Sequence, residues 1–249
     1  MIILAIKNLD YYYKEEYVLR NFNFSVKRGE IYGLVGKARS GKTTIINLVL
    51  GLLGAPSDTI FISGVDYANR RKDIAYVTGN VVDIPYYQNF LTVWENFKFL
   101  DVKFRFGEER IIEVLKTIGL ASVRNKKVRI LRSEQQKRLS IGLALFHNPE
   151  FLVFDDLFRD LKNQPKTQLY KLLIKIQKSG KTILLTNRNL KDIENICSTV
   201  GLLDSGNVLI EGTPKRVKDY IKNETGLRFD LEKAPHVNVI RIRGNYACS

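Results

Sequence analysis

The stretch Gly36-Lys37-Ala38-Arg39-Ser40-Gly41-Lys42-Thr43-Thr44 constrains the fold of this chain more than any other. It lies between an apolar run, Ile31 to Val35, that reads as a short buried strand, and a segment, Thr44 to Leu53, whose apolar residues recur at helical spacing. A turn of the form G-x-x-x-x-G-K-[ST] in that context is a Walker A loop, which cradles phosphate. Glycine lets backbone N–H groups converge on phosphate oxygens, and the helix N-terminus adds the positive end of its dipole. All of Gly36 to Thr44 is the candidate nucleotide-binding loop, with Lys42 reaching the β- and γ-phosphates and the Thr43 hydroxyl placed for Mg²⁺. Arg39 stands where many loops of this kind have another glycine, a change that the minimal pattern tolerates.

With 249 residues, 45% of them hydrophobic, the chain can bury a sizeable core as one domain with subdomains. No apolar run approaches a membrane span, and the start MIILAIKNLD lacks the features of a signal peptide, so a cytosolic location is expected. Cys197 and Cys248 fit neither a disulfide framework nor a zinc pattern and read as reduced and structural. A net charge of +14 invites nucleic acid or an anionic leaflet as partner. The basic residues are scattered, however, with only short clusters such as Arg70-Arg71-Lys72 and Lys126-Lys127, which equally describes a solvated cationic surface.

Strand-like runs at Ile2 to Leu9, Phe22 to Val26 and Ile31 to Val35 precede the loop and its helix. From about Asp83 to Leu145 the pattern turns helical, with Trp94, Phe97 and Leu100, then Ile111, Leu115 and Ile118, at turn-like spacings. Strands at Phe151 to Phe154 and Thr182 to Leu185 flank a helix at Leu169 to Ile176, and Val200 to Leu203 pairs with Val208 to Ile210 across Asp204-Ser205-Gly206-Asn207. This order predicts an α/β fold, a P-loop NTPase (RecA-like) mixed-sheet core with an N-terminal antiparallel β subdomain and an inserted helical subdomain. The boundaries expected are 1–220 for the nucleotide-binding domain, with 83–145 as the helical insertion, and 221–249 for a tail in which Val237, Val239, Ile240 and Ile242 suggest a strand. The strand Phe151 to Phe154 ends in Asp155-Asp156, the arrangement by which a P-loop nucleotidase holds its metal, so Asp155 is the candidate Mg²⁺ acid.

From about Ile3 to Val217 the sequence resembles the nucleotide-binding subunits of ATP-binding cassette (ABC) transporters. Leu91-Thr92-Val93-Trp94-Glu95-Asn96 is similar to the L-T-V-x-E-N of their helical subdomain, and Gln135 to Ala144 to the helix behind their signature motif. Asn148-Pro149 and Glu211-Gly212-Thr213-Pro214 match as well. The resemblance implies ATP and Mg²⁺ as ligands, an adenine-stacking aromatic at Tyr13, an integral-membrane permease and a second ABC ATP-binding subunit as partners in a homo- or heterodimer, and a place at the inner face of the cell membrane.

Several positions depart from the family pattern. The signature L-S-G-G-Q is here Leu131-Arg132-Ser133-Glu134-Gln135, and Glu134 would set a carboxylate against the phosphate bound by the partner. Two like charges 4 Å apart repel by roughly 4 kcal/mol at an effective dielectric of 20. The water-polarising glutamate is Asp156, one methylene shorter; the switch histidine is Arg188; the glutamine expected after Tyr76-Val77 is Gly79; and the D-loop reads Arg159-Asp160-Leu161-Lys162. Groups that bind phosphate and metal persist, while those that align water and sense the partner have changed. Lys42 and Asp156 are therefore the catalytic candidates of a site expected to bind Mg-ATP and hydrolyse it weakly. The alternatives are a soluble cassette protein acting on nucleic acid or the ribosome, which would ordinarily carry two cassettes or long insertions, and a nucleotide-free scaffold of a permease.

Overall fold

Apolar residues of the N-terminal strands and of the nucleotide-loop strand are buried by two sheets laid against each other. The computed structural model describes residues 1–13, 16–68, 70–82, 87–159, 161 and 163–225. In the first sheet, β1 (Ile2–Tyr13), β2 (Glu16–Lys27), β4 (Ile60–Ile62) and β5 (Val65–Asp66) pair antiparallel in the order β2-β1-β4-β5. Leu4, Ile6 and Leu9 of β1 turn inward with Phe22, Phe24 and Val26 of β2. A register shift between Ile6 and Leu9, with Asn8 at φ 45°, keeps Leu9 on the buried face.

The second sheet contains β3 (Ile31–Val35), β6 (Thr78–Val81), β7 (Phe151–Phe154), β8 (Thr182–Asn187), β9 (Thr199–Asp204) and β10 (Asn207–Gly212), in the order β10-β9-β3-β8-β7-β6. All neighbours are parallel except the β9–β10 hairpin. Every residue of β3, β7 and β8 is buried, as a parallel sheet covered on both faces requires. Around it lie α1 (Lys42–Val49), α2 (Arg71–Val77), α6 (Asn163–Lys178) and α7 (Pro214–Thr225). Between β6 and β7 the chain inserts α3 (Val93–Phe104), α4 (Gly107–Ile118) and α5 (Ser133–Leu145). A capping box starts α3, Glu95 N–H donating to Thr92 Oγ1 at 3.1 Å and Thr92 N–H to Glu95 Oε2 at 2.7 Å. Ile111, Val114, Leu115 and Ile118 form the buried stripe of α4, which ends at Gly119 with φ 70°.

Some boundaries differ from the sequence reading. Helix α1 stops at Val49, and Leu52 and Leu53 fold back to the carbonyl of Asn47. Val217 and Ile221 are buried, so α7 carries the core past residue 220, where the tail was expected to begin. Residues 226–249, with Val237, Val239, Ile240, Ile242 and Cys248, lie outside the described residues, as do Asp160, Lys162 and the expected start of the insertion at Asp83. Gly79 is not a loop residue: it pairs with Leu152 inside β6, and a Cβ there would stand 2.1 Å from the carbonyl oxygen of Ala144. Helix α2, which the periodicity did not reveal, includes the Tyr76-Val77 that precedes this position. The end of β6 falls instead at Val81, whose carbonyl accepts from the Asp155 N–H at 2.9 Å.

Gly79→Ala is therefore expected to lower the unfolding free energy by about 1–3 kcal/mol, the usual cost of overpacking. Urea denaturation followed by circular dichroism checks this, and an unchanged midpoint would return Gly79 to a loop.

Candidate functional site

A cleft of ≈ 610 Å³ opens at the carboxyl ends of β3, β7 and β8, where the strand order reverses about β3 and α/β sheets place their ligands. The Gly36–Thr44 loop forms its floor. A Cβ on Gly36 would stand 2.3 Å from the Leu203 carbonyl oxygen and 2.6 Å from Ser40 Oγ, so only glycine fits, and Gly41 holds φ 104°. Arg39 adopts φ 64°, a left-handed conformation that costs a residue with a Cβ roughly 1 kcal/mol and that explains the glycine common here. The Gly206 N–H, in the turn between β9 and β10, donates to the Ser40 carbonyl at 3.0 Å and anchors the loop from the opposite edge.

Lys42 is almost fully buried. Its ammonium donates to the carbonyls of Gly36 and Lys37, both at 2.6 Å, and to Ser40 Oγ at 3.1 Å. Burial pushes its pKa down from 10.5 to about 8; the carboxylates of Asp155 and Asp156 act in the opposite sense, and Arg188 adds to the lowering. Thr43 Oγ1 donates to Asp155 Oδ2 at 3.0 Å, bringing the end of β7 to the first turn of α1. Thr186, on β8, donates its hydroxyl to Asp155 Oδ1 and accepts the Asp156 N–H at 3.0 Å. Sequence reading missed Thr186. Its signal, a polar residue near the end of the strand between the loop strand and the acid strand, gains meaning only once the strand order is known.

Asp156 takes φ 48° and does not present an unengaged carboxylate: Oδ2 accepts from Arg159 Nε at 2.8 Å and lies 3.6 Å from Arg188 Nε. Arg188 follows β8, as expected of the switch position. Tyr13 and Tyr11 line the cleft from the same face of β1, while Tyr12, on the other face, hydrogen-bonds to Tyr17. Ala38, Ser40 and Thr44 line it as well. Thr43 and Asp155 offer two hard oxygen donors to one point, a set that suits Mg²⁺ completed by phosphate oxygens. Among the described residues no group of three or more His, Cys, Asp or Glu could hold a metal ion without such help.

Of the signature residues, Leu131 and Arg132 precede α5 and Ser133, Glu134 and Gln135 form its first turn, and all five lie outside this cleft. Gln135 Oε1 accepts the Arg132 N–H at 3.1 Å. Glu134 forms an ion pair with Arg138 one turn further along the helix, and only 15% of its side chain is exposed. Arg138 also bonds to Gln168 of α6 and, at 3.3 Å, to the Ile118 carbonyl. Cys197 is a buried free thiol whose pKa burial raises, in keeping with a structural role.

A strand, a glycine-anchored loop with a buried lysine, and a threonine joined to a strand-end aspartate define a P-loop nucleotide-binding protein. Residues 19–159 match the family described as ABC transporter, and the chain belongs to that family, as its ATP-binding subunit. It is 29% identical to the uncharacterized ABC transporter ATP-binding protein YdbJ of Bacillus subtilis, over 84% of this chain and 68% of that protein. The lantibiotic transport ATP-binding protein SrtF of Streptococcus pyogenes is 25% identical over 84% of this chain and 90% of its own length. Among solved structures, cbiO1 from Clostridium perfringens, part of the ABC transporter complex cbiONQ, superposes with a TM-score of 0.81 at 25% identity, over 90% of this chain and 96% of that one. Among the described residues no helix is long and apolar enough to cross a membrane.

A bound triphosphate favours the charged ammonium, so the lowered Lys42 pKa couples binding to protons. At pH 8 about half a proton should be taken up per ATP bound, and above that pH the affinity should fall by up to about tenfold per unit. Calorimetry in two buffers of different ionisation enthalpy reads the uptake, and Lys42→Ala should abolish it.

Proposed function

We propose that this chain binds Mg-ATP at a dimer interface to drive or gate an integral-membrane permease, from the cytoplasmic face of the membrane, and that its intrinsic hydrolysis is weak. The observation that carries the reading is a division within one cleft. Lys42, Thr43 and Asp155 converge as groups that would hold a phosphate and its metal, whereas Asp156, at the position that the resemblance gives to the attacking-water acid, is one methylene short and engaged by Arg159. Mg²⁺ would be held by Thr43 and Asp155, supplying charge neutralisation between the terminal phosphates. Tyr13 would stack on adenine. The printed roles of SrtF, in lantibiotic transport, and of cbiO1, part of a transporter complex, support the permease and a second ATP-binding subunit as partners. Compensation of Glu134 by Arg138 removes the charge conflict that would have argued against α5 closing over a partner's phosphate.

The purified chain should turn over ATP barely faster than its Lys42→Ala control, and turnover at the family's ordinary rate would refute the reading. Because a positioned base contributes about 10²–10⁴-fold, Asp156→Glu combined with Arg188→His should raise phosphate release at least tenfold. Tyr13→Ala should weaken ATP by about 1–3 kcal/mol while Tyr13→Phe retains the affinity, as fluorescent-nucleotide titration can measure.

A further inference from the structure

We propose that His147 is an acid-sensitive pin: its neutral ring fastens the helical insertion to the β6 end of the core, and protonation of that ring releases the carboxyl end of α3. This junction lies at the amino ends of β6 and β7, opposite the cleft, and its chemistry is independent of what the cleft binds.

His147 lies in the short link from α5 to β7, where the insertion returns to the sheet. Its Nε2 is 3.0 Å from the carbonyl oxygen of Thr78, the first residue of β6. A carbonyl can only accept, so Nε2 carries the proton of the neutral ring and donates it. The ring lies flat on Phe104, the last residue of α3, with centroids 4.9 Å apart and planes 9° from parallel. Phe104 in turn meets Tyr76 of α2 edge-on at 6.0 Å. One side chain thus ties α3, inside the insertion, to β6 of the core.

Every charged side chain acting on the ring is a cation, and each comes from a different part of the fold. Lys103 of α3 holds its ammonium 4.6 Å from the Tyr76 centroid and 5.2 Å from that of Phe104. Arg110 of α4 donates to the carbonyls of Leu145 and Phe146, just before His147, and its acid partner Glu113 is 65% exposed. Lys181, before β8, donates to the carbonyl and side chain of Asn148, just after it. Burial lowers the pKa of His147 and the three cations lower it further, while the Thr78 carbonyl acts in the opposite sense. A charged His147 would also set a second cation on the Phe104 ring that already serves Lys103. Acid therefore breaks the contact with Phe104 first, since either form of the ring can donate to Thr78. Release of α3 frees the insertion to move against the core.

The test follows the full chain, which contains two histidines, His147 and His236. In NMR spectra of histidine-labelled protein, the signal missing from His147→Gln should titrate with a midpoint below about 6.5, the ordinary histidine value. With the folded-state value the lower one, the contribution to stability is full above about pH 6.5 and falls as pH drops, the folded-to-unfolded ratio by up to about tenfold per unit. Hydrogen exchange across residues 99–107, corrected for its intrinsic rate, should accordingly quicken at least ~5-fold relative to β7 between about pH 7.5 and about pH 5.5. In His147→Gln, which offers Thr78 a neutral donor at every pH, that increase should vanish. Should His147→Gln not fold, His236→Gln assigns the signal, and Lys103→Met, with one cation fewer, should raise its midpoint. A His147 midpoint at or above about 6.5, exchange in α3 that ignores pH, or quickening that persists in His147→Gln overturns the pin.

Discussion

The 3.0 Å hydrogen bond from Thr43 Oγ1 to Asp155 Oδ2 joins the loop after β3 to the end of β7, across the intervening strand β8. Its geometry requires all three strands in register, because Thr186 of β8 holds the second oxygen of the same carboxylate. The sheet order is therefore what makes a site. Without β8 between them, the two oxygens that suit a metal would not face each other, and without Gly36 the loop could not pass the Leu203 carbonyl to bring Thr43 there.

Charge in the cleft is arranged against its own neutralisation. Lys42 is buried and its ammonium disfavoured, Asp155 is spanned by two hydroxyls, and Asp156 is shared by two guanidiniums. Such a site suits an anion, whose arrival would favour the charged form of Lys42. The start of α5 follows similar logic, Glu134 being compensated by Arg138 one turn along.

Much of the fold was legible because the patterns were local. Ile31–Val35 and Phe151–Phe154 are short apolar runs with abrupt polar ends, and they form strands with those limits. The hairpin around Ser205-Gly206 was legible from its turn residues. The region from Ile60 to Val81 was not: β4 and β5 are too short to show alternation, and the Arg71–Val77 helix has one buried residue, Ile74, too few to show a stripe.

Residue types set the chemistry in advance. A loop of this spacing between a strand and a helix suits phosphate, since its backbone amides converge where the glycines allow, and an acid that ends an apolar strand sits at the strand's carboxyl edge. Which charges meet was decided by the tertiary structure. The pairing of Asp156 with Arg188 and the support of Asp155 by Thr186 depend on strand order and on a left-handed backbone at Asp156, whereas Glu134–Arg138 and Asp156–Arg159 are local pairs four and three residues apart. Electrostatic interaction falls with distance, and distance between residues far apart in sequence exists only once the chain has folded.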